Sequence, residues 1–267
     1  MDSSTIEELI AGIKKIGDEI ISWRNDERLK KVREPKEFKT EADFKASSLL
    51  KELIRKIDNT AHILSEEDDE FEENRPNAYW LIDPIDGTAS WYEGFSGFVT
   101  QAAYIENECP VLGIVYAPGL KKMWWGAVGK GAFLNGKPIP KRNVYDFTNG
   151  FKLIDNYPKP ARIAKTICEG FNVSEYIESG SLGLKSVLIA DGTADVFVKD
   201  VVIRDWDIAP AHVILNELGC HLSDLDGEEI VFSNTHEKNN GLLVAATSDL
   251  ALSVVEFIKS KKELDND

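Results

Sequence analysis

An α+β fold, with helices and sheets stacked in layers, is what this sequence predicts. Three observations carry the prediction. Apolar residues recur at three- and four-residue steps in several segments, and short Val-, Ile- and aromatic-rich runs lie between them; these are the periods of helix and strand. The middle of the chain is strand-rich, whereas helix and strand signals interleave after it, a pattern that packs helices on sheets. The length of 267 residues, 43% hydrophobic, suffices for one large domain or two intimate subdomains around a sizeable core.

Residues 5–23 predict an amphipathic helix through Ile6, Ile10, Ile13, Ile16 and Ile20. Residues 24–38 are charged and aperiodic, and read as a surface loop or a hairpin. Thr40-Glu41-Ala42-Asp43 opens a second helix with an apolar stripe of Ala46, Leu49, Leu50, Leu53, Ile54 and Ile57. Strands are expected at residues 62–65, 78–82, 99–105, 111–116, 123–127 and 132–134, the last followed by an Asn135-Gly136 turn. Pro138, Pro140 and the polar run at 141–150 mark a boundary between residues 1–148, holding most of the candidate site, and residues 149–267. Beyond it, strands are expected near 151–155, 194–198 and 241–246, with helices at 160–169, 183–191, 206–218 and 248–259. Residues 261–267 are expected to fray.

Net charge is −15. Nonspecific binding to nucleic-acid polymers runs on Lys and Arg contacts to phosphates, so that class is excluded, as is an anionic membrane surface. No run approaches the length of a membrane span. The acidic start Met1-Asp2-Ser3-Ser4-Thr5-Ile6-Glu7-Glu8 lacks the basic-then-apolar pattern of a secretion signal. Cys109, Cys168 and Cys220 show no paired spacing, which suits free thiols in a cytoplasmic protein. An anionic substrate would need a local device to invert the field, and bound divalent cations are such a device.

The segment with the most chemistry is Asp83-Pro84-Ile85-Asp86-Gly87-Thr88. A strongly apolar strand is expected to end at Asp83, with Pro84 forbidding simple continuation of the ladder. Two carboxylates at one strand end, with the Ile85 carbonyl between them, can share a hard divalent ion. The amides of Gly87 and Thr88 could hold a phosphate. The alternative is an Asp-rich turn that caps a helix. Glu66 follows a short apolar run, at a strand end where a metal site would need it, although acidic runs such as residues 65–70 are usually solvated. Asp43, three residues after Thr40, fits a capping box and equally a carboxylate that orients or deprotonates water. Asp207 suits the start of the helix that ends at Gly219, with Pro210 tolerated in its first turn; it is a cap or a ligand from the second half of the chain. Gly180-Ser181 before a helix could approach a substrate or be only a turn. The histidines His62, His212, His221 and His236 show no ligand spacing.

In combination and order these motifs resemble the inositol monophosphatase superfamily, which includes 3′(2′),5′-bisphosphate nucleotidases and archaeal-type fructose-1,6-bisphosphatases. The resemblance runs from about Lys39 to Ala246 and includes Gly129-Lys130-Gly131-Ala132-Phe133-Leu134-Asn135-Gly136 and Trp206-Asp207-Ile208-Ala209. It implies a layered α-β-α-β-α sandwich and magnesium-dependent, lithium-sensitive hydrolysis of a small phosphate monoester. It implies a first Mg2+ on Glu66, Asp83 and the Ile85 carbonyl, and a second on Asp83, Asp86 and Asp207. A third, looser ion would sit near Glu66. In-line attack would come from a metal-activated water polarised by Thr88 and Asp43. Ile85, Asp86, Gly87, Thr88, Gly180, Ser181 and Asp207 would line the substrate, and a homodimer is among the expected states.

The pieces Leu64-Ser65-Glu66-Glu67-Asp68, Val115-Tyr116-Ala117-Pro118 and Gly219-Cys220-His221-Leu222-Ser223-Asp224 look most like the bisphosphate nucleotidase branch. Its substrates, such as adenosine 3′,5′-bisphosphate, carry a second phosphate for which Lys185, Lys199 and Arg204 are candidate partners. Against this, Asp200 stands seven residues before Asp207, where inositol phosphatases place an acid for a substrate hydroxyl. Pro210-Ala211 also departs from the common Trp-Asp-x-Ala-Ala-Gly form. An inositol or sugar phosphatase is therefore the rival, and a non-catalytic metal- or phosphate-binding regulator is the rival from another class.

Overall fold

A computed structural model describes residues 1–34, 36–68, 75–141, 146–233 and 235–264. Asp69 and Glu70 of the acidic run, residues 142–145 of the expected boundary and the last three residues of the tail lie outside the described residues.

Helix α1 (Ser3–Ser22) starts at Asp2, whose carboxylate accepts from the Thr5 amide at 2.9 Å, and it buries Ile6, Leu9, Ile13, Ile16 and Ile20. Strands β1 (Val32–Glu34) and β2 (Lys39–Thr40) pair antiparallel, so the charged stretch contains a hairpin. Helix α2 (Glu41–Ile57) follows at once. Then come β3 (Ile63–Ser65) and β4 (Ala78–Asp86), the short helix α3 (Thr88–Tyr92), and β5 (Val99–Glu106), β6 (Cys109–Ala117), β7 (Lys122–Ala127), β8 (Gly131–Leu134) and β9 (Lys137–Pro138). Among the described residues these strands form one sheet in the order β3-β4-β5-β6-β7-β8-β9, with β3 parallel to β4 and the rest antiparallel.

The chain continues through β10 (Phe151–Asp155), α4 (Arg162–Gly170), β11 (Val173–Glu178), α5 (Leu182–Ala190), β12 (Val196–Lys199), β13 (Ile203–Arg204), α6 (Asp205–Leu218), β14 (His221–Ser223), β15 (Glu237–Lys238), β16 (Leu242–Ala245) and α7 (Ser248–Leu264). A second sheet has the order β11-β10-β12-β16-β14. Helices α1 and α2 cover one face of the first sheet. Helices α5 and α6 lie between the two sheets, and α4 and α7 cover the far face of the second. The architecture is the α-β-α-β-α sandwich.

Each sheet is covered on both faces, which explains why the strand signals are continuous apolar runs. Along β4, Trp80 and Ile82 enter the core under α1 and α2, while Tyr79 and Leu81 enter the core shared with α5 and α6. Helix α6 is buried on nearly every side, through Trp206, Ile208, Ala209, Val213, Ile214 and Leu218 among others. Its far end is pinned by Glu217, whose carboxylate accepts from the amides of Gly129 at 2.9 Å and Gly131 at 2.8 Å in the β7–β8 turn. Among the described residues no helix is long and apolar enough to cross a membrane.

Four sequence expectations need correction. The strand at 78–82 does not stop at Asp83 but runs to Asp86, for a reason given below. Pro210 lies beyond the first turn of α6, so its missing N–H leaves the Trp206 carbonyl without a helical donor. The Gln101 side-chain amide donates there instead, at 3.0 Å. The final helix does not fray from residue 261 but continues to Leu264, where Lys262 pairs with Asp226 at 2.9 Å. Strand β11 was not expected at all: it is an edge strand with Ser174, Glu175 and Glu178 exposed, and so carries no apolar alternation.

Helix α6 approaches β6 so closely that a Cβ on Gly113 would meet the Pro210 carbonyl oxygen at 2.0 Å. The Pro210 carbonyl is backbone and cannot rotate away, and Val213 Cγ1 would also lie at 2.7 Å. Gly113→Ala is expected to cost about 1–3 kcal/mol, the range of overpacked cores. The check is a lower urea midpoint at unchanged slope; an unchanged midpoint would contradict this packing.

Candidate active site

Residues three apart on an unbroken strand face opposite sides of the sheet. Asp83 and Asp86 escape this rule because β4 bulges between them. Asp83 pairs with Gln101 and Asp86 with Val99, so three steps on β4 match two on β5. The extra residue returns Asp86 to the side of Asp83. Pro84 sits inside the bulge, where no ladder donor is needed, and its carbonyl accepts from the Thr100 hydroxyl at 2.9 Å. The Asp83 carboxylate accepts from the Ile85 amide at 3.1 Å.

Asp207 arrives from the other half of the chain as the third residue of α6, its Oδ2 accepting from the Arg204 amide at 2.9 Å. Asp83, Asp86 and Asp207 each offer a carboxylate oxygen, and these oxygens lie within 4.8 Å of one another. Glu66 follows β3, and its charge is among those that raise the Asp83 pKa. Its Oε1 stands 4.0 Å from the Arg204 guanidinium.

Asp86 is held by the start of α5. Its Oδ2 accepts from the Ser181 hydroxyl at 2.6 Å and the Gly183 amide at 2.7 Å, and its Oδ1 accepts from the Leu182 amide at 3.2 Å. Ser181 is the cap of α5 and also binds the Leu184 amide at 2.9 Å. Gly180 lies against neighbouring chain: a Cβ there would meet the Gly97 carbonyl oxygen at 2.2 Å. Gly87 adopts φ 94°, in the left-handed region, and starts α3 at Thr88.

Thr88 Oγ1 lies 2.8 Å from Asp43 Oδ1 and 3.1 Å from the Ile85 carbonyl, and has one proton to give to either. Asp43 turns its other oxygen to its own helix, accepting from the Thr40 amide at 2.7 Å and hydroxyl at 2.6 Å. The capping box is therefore present, and the same carboxylate reaches Thr88.

The carboxylates are crowded, with Asp83 and Asp86 buried and Glu66 and Asp207 partly buried. Burial, and then the charges of Glu66, Asp86 and Asp207, push Asp83 well above the usual range. Burial, then Asp86 and Glu66, do the same to Asp207. Burial raises Asp86 against the hydrogen bonds from Ser181 and Gly183. Burial raises Glu66 to about 7, with the Lys39 cation opposing it. Asp83 Oδ2 is buried with no hydrogen-bond partner. An unpartnered oxygen inside a cluster of all-oxygen donors fits a hard divalent cation.

Of the other expected residues, Lys185, Lys199 and Asp200 find partners outside this cluster, and Arg204 lies at its edge. Lys185 is fully buried, and its ammonium donates to the carbonyls of Gly180 and Ser181 at 3.2 and 2.5 Å. Lys199 pairs with Asp155 at 2.7 Å. Asp200 is clamped by Arg162, with Nε at 3.2 Å from its carboxylate. Arg204 lies over Glu66, Glu37 and Glu237 at 3.4 to 4.0 Å.

Three contributors escaped the sequence reading. Gln101 touches Asp86 at 3.4 Å and the Asp207 carbonyl at 3.3 Å; its one signal was an amide inside an apolar strand. Lys39 donates to the Glu66 carbonyl at 2.5 Å. Arg75 forms a buried ion pair with Asp205, which Lys238 also approaches at 3.1 Å. A cavity of about 760 Å³ adjoins the site, lined in part by Ser90, Glu93, Phe95, Asn156, Glu178 and Gly180.

A sequence profile described as the inositol monophosphatase family matches residues 3–260. A Thermotoga maritima protein named fructose-1,6-bisphosphatase/inositol-1-monophosphatase is 30% identical over 264 residues, covering 93% of this chain and 96% of its own. The 3′(2′),5′-bisphosphate nucleotidase CysQ of Salmonella typhimurium is 31% identical over 204 residues, covering 73% of this chain and 79% of its own. Among solved structures, the extragenic suppressor protein SuhB of Bartonella henselae superposes with a TM-score of 0.82 at 19% identity, over 96% of this chain and 99% of that one.

The raised carboxylates make metal-free stability depend on pH. A Glu66 carboxyl at about 7 when folded, against 4.5 as the ordinary value, binds more protons in the folded state between those values. Stability is then fully present below about 4.5 and falls as pH rises towards 7. Asp83 and Asp207 act in the same direction. Thermal melts after chelation should show Tm falling over this window, and added Mg2+ should flatten the slope. A metal-free Tm that rose with pH would contradict the crowding.

Proposed function

The chain belongs to the inositol monophosphatase family of phosphatases, and from that premise we propose that it hydrolyses a small phosphate monoester with Mg2+ as cofactor. The observation that carries this reading is the convergence of Asp83, Asp86 and Asp207 within 4.8 Å beside the Thr88–Asp43 pair. Glu66, Asp83 and the Ile85 carbonyl would hold one ion, and Asp83, Asp86 and Asp207 another. Bound magnesium supplies positive charge that offsets these carboxylates and stabilises charge developing on the phosphoryl and leaving oxygens.

The remaining work falls to the chain. Thr88 donates its proton to Asp43, so its lone pairs are left to accept from a water. That hydrogen bond fixes the water for in-line attack. As the water oxygen bonds to phosphorus, the bond from phosphorus to the alcohol oxygen on the opposite side breaks and that oxygen leaves, while the water's proton passes through the Thr88 hydroxyl towards Asp43. Burial raises the Asp43 pKa, which suits a group that takes a proton. The amides of Gly87 and Thr88 serve the phosphate.

For the substrate we favour the 3′-phosphate of adenosine 3′,5′-bisphosphate, whose leaving group is the 3′-oxygen of adenosine 5′-monophosphate. Asp200, the acid the resemblance would assign to a polyol hydroxyl, is already engaged by Arg162, which adds a cation on that side. A similar relative is named a 3′(2′),5′-bisphosphate nucleotidase. A second reading, an inositol or sugar phosphatase, draws on Asp200 Oδ1, which is buried without a hydrogen-bond partner and could take a hydroxyl.

A turnover panel with Mg2+, with and without Li+, separates these readings. Adenosine 3′,5′-bisphosphate should be hydrolysed faster than inositol 1-phosphate, and lithium should inhibit. Equal or reversed rates would favour the polyol reading, and no turnover with Mg2+ still bound would favour a regulator. Asp83→Asn or Asp86→Asn should lower kcat by at least about 10²-fold, since each removes a charge that faces the transition state. Thr88→Ala should lower kcat by about 10²-fold while Thr88→Ser retains most of it, because only the hydroxyl is needed.

A further inference from the structure

Lys39 sits in β2, directly before the Thr40 cap, and its side chain is 7% exposed. Three oxygens face its ammonium. The Glu66 carbonyl lies at 2.5 Å, Glu37 Oε2 at 3.2 Å and Glu67 Oε2 at 3.7 Å. The ammonium thus donates to the Glu66 carbonyl and forms ion pairs with Glu37 and Glu67. One carbonyl and two carboxylates are also a donor set that a hard divalent ion takes. The Glu67 side chain is 2% exposed, and its Oε2 has no hydrogen bond, so neither water nor a neutral donor offsets it. Arg204 closes the other side, at 3.4 Å from Glu37 and 4.0 Å from Glu66.

We propose that the Lys39 ammonium permanently fills the cation position beside Glu66 and Glu67, so that the chain binds two divalent ions and not three. The inference rests on the reading of Asp83, Asp86 and Asp207 as a metal centre. A tethered cation does not dissociate when free magnesium is scarce, and it brings no exchangeable coordination position. Its place is one of charge balance: it lets Glu66 and Glu67 remain close together at the edge of the centre. Lys39 touches no reacting atom in this account and is a positioning residue.

The test counts ions. The full chain is stripped of metal and titrated with Mn2+, free Mn2+ being read by electron paramagnetic resonance, and circular dichroism reports the fold. The wild-type chain should bind two Mn2+. Lys39→Met, which keeps the length and removes the charge, should bind a third ion at least about tenfold more weakly than the other two. Lys39→Gln should do the same if Lys39→Met fails to fold, and Lys39→Arg should restore a count of two. Three ions on the wild-type chain, or two on a folded Lys39→Met or Lys39→Gln chain, would overturn the proposal. Fewer than two ions on the wild-type chain, with Asp83→Asn binding as the wild type does, would overturn the metal-centre reading itself, and the two failures are thus told apart.

Discussion

The mutual repulsion of Glu66, Asp83, Asp86 and Asp207 is the constraint around which the rest of the molecule is arranged. Carboxylates withdrawn from water cost much unless charges or hydrogen bonds oppose them. The fold spends several devices on keeping them together. The β4 bulge sets two on one side of a strand, and α5 clamps one of these with a hydroxyl and two amides. The buried Arg75–Asp205 pair anchors the first turn of the helix that brings Asp207. A protein built only for stability has no use for such a cluster. The cluster suits the cation that the proposed function calls for.

Helix starts recur throughout the site. Asp43 is the third residue of α2, Asp207 the third of α6, and Asp86 lies on the start of α5. The positive end of each helix favours an acid there, typically by about 0.3–1 kcal/mol. Three separate elements thus aim their amide-rich ends at one small volume. This arrangement draws on both sheets, since α2 packs on the first while α5 and α6 lie between the two. Neither half of the chain holds the whole set of carboxylates.

Much of this was legible in the sequence because the local signals were strong. The isoleucine period of α1, the apolar run of β4 and the Thr40–Asp43 cap each announce an element. For Asp43 and Asp207 the capping and functional readings looked like alternatives. The two are compatible: a carboxylate has two oxygens, and Asp43 gives one to its own helix and one to Thr88. The bulge was not legible, since Pro84 reads as a strand end and only pairing with β5 shows the ladder resuming. Lys39, Gln101 and Arg75 were missed for a different reason. Each acts through a contact with a distant segment, and nothing in the neighbouring residues of a lysine or glutamine reports that. Strand β11 escaped because an exposed edge needs no apolar pattern.

The bond from Gln101 to the Trp206 carbonyl has a historical consequence. Proline at 210 deprives that carbonyl of its helical donor, and Gln101 supplies a replacement from another strand. With any other residue at 210 the backbone would serve and the glutamine would be dispensable for this purpose. The two positions are therefore epistatic, and the order in which they change matters. A glutamine at 101 can precede the proline without harm, whereas a proline arriving first would expose an orphaned carbonyl beside Asp207. Once both are in place, Gln101 cannot be lost alone without leaving that carbonyl without a donor, whereas Pro210 can be replaced alone. The dependence is one-sided: the proline needs the glutamine, and the glutamine does not need the proline.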